Sequence, residues 1–100
     1  MARPAKLSDA EIQAGLKDLA GWALKDGKLH REYKFKDFVE AFGFMASAAL
    51  EAEKMNHHPE WFNVWCHVKV DLNTHDAGGI TQLDFDLARK MEALAKKLGV

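Results

Sequence analysis

Residues 37–72, DFVEAFGFMASAALEAEKMNHHPEWFNVWCHVKVDL, carry two apolar periods joined at one point. Before the join, Phe38, Phe42, Met45, Ala49 and Ala52 recur at i, i+4, i+7, i+11 and i+14, one face of a helix. Val39, Phe44, Ala46, Ala48 and Leu50 widen the apolar surface beyond a single stripe, so the helix is expected to be covered on two sides. The face through Phe38, Phe42, Met45 and Ala49 is expected to pack on the protomer's own sheet. The neighbouring face, through Phe44, Ala48 and Glu51, is left for a partner subunit. The Asp37-x-x-Glu40 cap pattern starts this helix, and Met55 or Asn56 ends it.

The join is His57-His58-Pro59. Adjacent side chains diverge by about 100° on a helix and about 180° on a strand. Two neighbouring histidines can therefore converge on one pocket only where regular structure stops, and Pro59 marks such a stop. Beyond it, EWFNVW alternates. HVKVDLNT then puts Val68, Val70 and Leu72 on one face and His67, Lys69, Asp71 and Asn73 on the other. The turn between these strands falls near Cys66.

Upstream, Ser8-Asp9-Ala10-Glu11 reads as a capping box opening a short helix with Ile12, Leu16 and Leu19 on one stripe and Gly21 just past its end. Asp26-Gly27 is a tight-turn signal between Trp22-Leu24 and the segment carrying Leu29, Arg31, Tyr33 and Phe35, giving a hairpin with one wet face. Downstream, Asp76-Ala77-Gly78-Gly79 breaks the strand. Thr81-x-x-Asp84 caps a last helix with Leu87, Met91, Leu94 and Leu98 inward. The order is α-β-β-α-β-β-α. Antiparallel hairpins with helices on one side form a two-layer α+β sandwich.

One hundred residues, 48% hydrophobic and 29% charged, are expected to make a single globular domain over 1–100. A chain of this length buries only roughly 60–65% of its unfolded surface, so subunit contacts would help it. A net charge of −1 argues against nucleic acid as the main partner. MARPAKLSDAEI has no apolar signal core, no run reaches the roughly 18 apolar residues of a membrane span, and Cys66 is the sole cysteine. A reducing, cytoplasmic location is expected.

His57, His58 and His75 are the candidates for chemistry. Imidazole titrates near neutral pH and can give or take a proton. Glu53 stands four residues before His57 and is expected to meet it on one helical face. His75 follows the last long strand, where side chains from separate segments can converge. Three histidines and a glutamate also suit zinc, but their spacing is that of no compact metal motif, and no metal is expected. His30 and His67 read as solvated. Trp22, Trp61 and Trp65 read as core or interface aromatics, one or two of which could wall a pocket for a flat heterocycle.

Glu53-x3-His57-His58-Pro59, followed by Trp65, His75 and Asp84 at fixed intervals, resembles the signature of the pterin-4a-carbinolamine dehydratases. The resemblance extends over about residues 20–92 and is densest in FKDFVEAFGFMASAALEAEKMNHHPEWFNVW. Asn56 stands where many members have an acid, and Leu83 where some have arginine. The resemblance implies a four-stranded antiparallel sheet with three helices on one face, and a homotetramer built as a dimer of dimers. It implies dehydration of 4a-hydroxytetrahydrobiopterin to quinonoid dihydrobiopterin, without metal or redox cofactor. His57 and His75 would then be the acid and base, His58 would hold the 4a-hydroxyl or the ring, and Glu53 would orient His57. Trp22, Trp61, Phe62, Asn63 and Thr74 complete the expected substrate-binding set. Some animal members also serve as dimerisation cofactors of a transcription factor, which supplies an alternative role as a binding module.

Overall fold

In the computed structural model, which describes residues 4–100, the period change at His57 coincides with the end of the longest helix. Met1, Ala2 and Arg3, the start of the stretch read as lacking a signal core, lie outside the described residues. The elements are α1 (Asp9–Leu16), β1 (Ala23–Lys25), β2 (Lys28–Lys34), α2 (Phe38–Met55), β3 (Glu60–Val64), β4 (His67–Leu72), a one-turn 3-10 helix (His75–Ala77) and α3 (Gln82–Lys97). The four strands form one antiparallel sheet in the order β1-β2-β4-β3, as expected from the two hairpins.

Local chemistry sets the boundaries. The Ser8 hydroxyl and Glu11 carboxylate close a reciprocal box at the start of α1. Asp26 and Gly27 both take positive φ, the pair that a two-residue hairpin turn requires. Asp37 accepts from the Glu40 N–H and caps α2. Asn56 ends α2 in the left-handed region, with its N–H bonded to the Ala52 and Glu53 carbonyls. Asparagine is one of the few residues other than glycine that enters that region readily.

The two central strands pair Leu29 with Leu72, Arg31 with Val70 and Tyr33 with Val68 on the inner face. The outer face of the same ladder pairs His30 with Asp71 and Glu32 with Lys69. Leu29, Leu72, Val68, Val70 and Tyr33 are fully or almost fully buried, and each contributes about 1.5–3 kcal/mol if an apolar side chain of this size is removed from water.

The orientation of α2 differs from expectation. Its inward face is Ala41, Phe44, Ala48 and Ala52, all buried, with the Phe44 ring 4.9 Å from Tyr33 and 5.0 Å from Phe35. Phe38, Val39, Phe42 and Leu50 point to solvent, Phe42 at 57% exposure. The reason is packing distance. Three alanines let α2 lie close to the layer beneath and leave one pocket for one large ring, whereas the row of larger side chains would hold the helix away.

A second tie crosses the layers at Glu92 of α3. Its Oε1 accepts from Trp22 Nε1 (2.7 Å), Tyr33 OH (2.6 Å) and Arg31 Nε (3.1 Å). Burial, reinforced by this bond to Glu92, pushes the Tyr33 phenol well above its ordinary pKa.

Candidate active site

Three chain segments end on the same side of the sandwich: the C-terminus of α2, the end of β4 and the start of α3. Their junction holds the site. After Asn56 the backbone leaves the helical register, so His57 no longer lies one turn beyond Glu53. It turns inward, is 5% exposed, and places Nε2 2.5 Å from Asp84 Oδ1. Glu53 instead faces His58, with Oε1 2.8 Å from its Nε2, in a solvent-exposed pair. The expected Glu53–His57 contact is therefore replaced by two pairs, His57–Asp84 inside and His58–Glu53 outside.

Asp84 is fully buried, and each of its oxygens has a role. Oδ2 accepts from the Thr81 N–H and from Thr74 Oγ1, both at 2.9 Å. Thr74 has one hydroxyl proton and gives it to the carboxylate, so the Thr81 hydroxyl, 2.7 Å away, donates to Thr74. Thr81 Oγ1 in turn accepts from the Leu83 N–H. This chain fixes Oδ1 toward His57. A carboxylate only accepts, so His57 Nε2 carries a proton, and Nδ1 is the nitrogen left to exchange one.

His57, His58, Asn73 and His75 line a recess of about 200 Å³. His75 opens the 3-10 turn, which the Thr74–Gly79 bridge and the Gly78 N–H bond to the His75 carbonyl hold against the end of β4. At the rim, Glu60 bonds Lys28 Nζ (2.6 Å) through Oε1 and Asn73 Nδ2 (2.8 Å) through Oε2. The bond from Lys28 and then that from Asn73 hold the Glu60 carboxyl below the ordinary carboxylate range.

The structure thus brings His57, His58 and His75 to one recess. The other expected residues are distributed. Thr74 borders the recess, with its hydroxyl taken up by Asp84 and Thr81. Trp22 is buried against Tyr33 and bonded to Glu92, eight residues and so about 12 Å along α3 from Asp84. Trp61 packs on the core from the edge strand. Phe62 is exposed on the outer face of the sheet, and Asn63 clamps the β3–β4 turn through the Trp65 and His67 carbonyls. The acid that holds His57 was missed. Asp84 is legible as a helix cap, and only the fold shows that the same carboxylate reaches His57. Among the described residues, no three His, Cys, Asp or Glu side chains come together as a metal-binding group.

Comparison with known proteins identifies the family. Residues 5–94 match the family described as pterin 4 alpha carbinolamine dehydratase. The chain belongs to that family. A provisionally named pterin-4-alpha-carbinolamine dehydratase of Solibacter usitatus is 63% identical over 90 residues, covering 90% of this chain and 95% of the relative. One from Rhizobium leguminosarum bv. trifolii is 58% identical over 97 residues, covering 95% and 96%. The crystal structure of a protein described as a transcriptional coactivator/pterin dehydratase from Brucella melitensis superposes with a TM-score of 0.87 at 52% identity, covering 90% of this chain and 98% of that one. No described helix of this family member is long and apolar enough to cross a membrane.

Proposed function

We propose that this pterin carbinolamine dehydratase family member removes water from 4a-hydroxytetrahydrobiopterin, giving quinonoid dihydrobiopterin and recycling the cofactor of aromatic amino acid hydroxylases. The observation that carries this reading is the recess lined by three histidines, one of them fixed from behind by Asp84. Hydroxide is a poor leaving group, so the 4a-oxygen must be protonated as its bond to C4a breaks. The N5 lone pair assists, and a ring N–H proton is lost. One imidazole supplies the first proton and another accepts the second, which is general acid–base work near neutral pH. His57 and His75 take these roles, and His58, backed by Glu53, holds the hydroxyl or the ring.

The exposed α2 face of Phe38, Val39, Phe42 and Leu50 supports assembly of four copies, with this face at the centre. A transcription-factor partner on the same face is the competing occupant. The deciding experiment is a dehydratase assay with synthetic 4a-hydroxytetrahydropterin. Acceleration over the spontaneous reaction by wild type, and its loss in His57→Ala, is the expected result. No acceleration leaves the binding-module reading in its place.

A further inference from the structure

The hydroxyl chain behind Asp84 and the turn that carries His75 meet at one residue, Thr74. It stands two positions beyond β4, is 2% exposed, and bridges to Gly79. Its main chain closes the turn. The Thr74 N–H donates to the Gly79 carbonyl (2.8 Å), and the Thr74 carbonyl accepts from the Ala77 N–H (3.1 Å). Its side chain bonds the start of α3, donating to Asp84 Oδ2 (2.9 Å) and accepting from the Thr81 hydroxyl (2.7 Å). Asp84 holds His57 through its other oxygen. The sequence places Thr74 among the substrate contacts, but its single hydroxyl proton is committed to Asp84, and none is left to donate to a pterin.

We propose that Thr74 is a positioning residue that sets His57 and His75 in one geometry, its main chain holding the His75 turn and its hydroxyl holding His57 through Asp84. This rests on the dehydratase reading above. Without the hydroxyl, Oδ2 of Asp84 keeps only the Thr81 N–H, and the Thr81 hydroxyl loses its acceptor in a fully buried place. A buried donor without a partner is costly, so the group rearranges to find one. The terminal torsion of an aspartate is broad and soft. The carboxylate is then free to turn, which carries Oδ1 away from His57 Nε2. The loss falls on the orientation of His57 and not on substrate binding. Serine keeps the hydroxyl and removes only a methyl.

The test is a cycle of Thr74→Val and Asp84→Asn, by stopped-flow dehydration of synthetic 4a-hydroxytetrahydropterin on the full chain. Thr74→Val should lower kcat about 10-fold, the size of one hydrogen bond to a charged group, with KM within about twofold of wild type. Thr74→Ser should recover most of that loss. Added to Asp84→Asn, Thr74→Val should slow the reaction by less than about twofold, because the two residues act through one path. A rise in KM at unchanged kcat, full additivity with Asp84→Asn, or a Thr74→Ser rate as low as that of Thr74→Val would overturn the proposal. NMR reads the same geometry without turnover. Wild type should show a slowly exchanging Thr74 hydroxyl proton and a slowly exchanging proton on His57 Nε2. In Thr74→Val the His57 proton should exchange at least about 10-fold faster while the amides of Leu29 and Val70 keep their protection. Absence of either proton signal in wild type overturns the proposal even if the valine variant fails to fold, as does unchanged exchange at His57 in a folded Thr74→Val. Absence of catalysis by wild type overturns the dehydratase reading and leaves the NMR result to stand by itself.

Discussion

Asp84 Oδ1 sits 2.5 Å from His57 Nε2 although the two residues are 27 apart in the chain. The contact links the end of α2 to the start of α3 and decides which nitrogen of His57 is free. Asp84→Asn keeps the size of the side chain but can present an N–H2 to His57, which reverses the tautomer and removes the base. Dehydration should slow by about 10²-fold. The circular dichroism spectrum should stay that of the wild type. A rate within twofold of wild type would show that the orientation of His57 does not matter.

The two histidine–carboxylate pairs differ in burial, and their variants should differ accordingly. His57→Ala and His75→Ala should each lower the rate by about 10²- to 10⁴-fold with the fold intact. Glu53→Gln should lower it by only a few-fold, because the His58–Glu53 pair is solvent-exposed and such pairs contribute little. Single-turnover rates for the three variants check the order. A larger loss in Glu53→Gln than in His57→Ala would reverse the assignment.

Glu92 should matter for stability. One oxygen accepts from Trp22, Tyr33 and Arg31, tying the β1–β2 hairpin to α3. Glu92→Ala leaves these donors without their acceptor in a partly buried site, at a cost of about 1–3 kcal/mol for each group left unsatisfied. Urea unfolding should show a midpoint well below wild type. An unchanged midpoint would mean that water replaces the carboxylate without loss.

The order of elements was legible because each boundary is chemically marked: Ser8 and Thr81 as caps, Asp26-Gly27 as a turn, and a change of period at Pro59. The rotation of α2 was not. Its apolar residues surround most of the helix, and side-chain size favoured the Phe38–Phe42 face, while close packing selected the Ala41–Ala48 face. The three histidines were legible as a group because they stand at segment ends. Their partners were not. Helical spacing assigned Glu53 to His57, but the left-handed Asn56 intervenes and passes Glu53 to His58. Asp84 is separated from His57 by the second hairpin, and no local pattern spans that distance.

His30 gives the outer sheet face a pH dependence. Its Nε2 lies 2.7 Å from Glu32 and its Nδ1 2.8 Å from Asp71, so both bonds are donated only by the imidazolium. The bond to Glu32, with a smaller one to Asp71, raises the His30 pKa against the opposing effect of burial, and Lys25 opposes it weakly. A pKa raised on folding stabilises fully below the unfolded value near 6.5, and the effect is lost as pH rises through the folded value. The Glu32 pKa is lowered by the same bond, so its contribution is present above the unfolded carboxylate value and is lost in acid. Wild type should therefore exceed His30→Gln in urea midpoint at pH 5.5, and the gap should narrow by pH 9. A gap that is constant or widens with pH would show that the imidazolium does not hold the two carboxylates.

The two faces of α2 predict opposite consequences for the same substituted charge. Ala48 is fully buried beneath the helix, so it belongs to the protomer's own core and cannot be the subunit contact expected from the sequence. Ala48→Glu places an unpaired carboxylate there and should destabilise the protomer by about 3 kcal/mol or more. Phe42 is exposed, with its ring 5.8 Å from that of Phe38. Phe42→Glu removes no buried contact from the core and should leave the circular dichroism spectrum unchanged. If four copies meet through this face, the charge has no place in the apolar contact, and light scattering should show the mass of Phe42→Glu falling below that of wild type at micromolar concentration. A wild-type mass retained by Phe42→Glu would exclude this face from the assembly. A wild-type monomer would remove the tetramer and leave Phe38, Val39, Phe42 and Leu50 as the contact for a different protein.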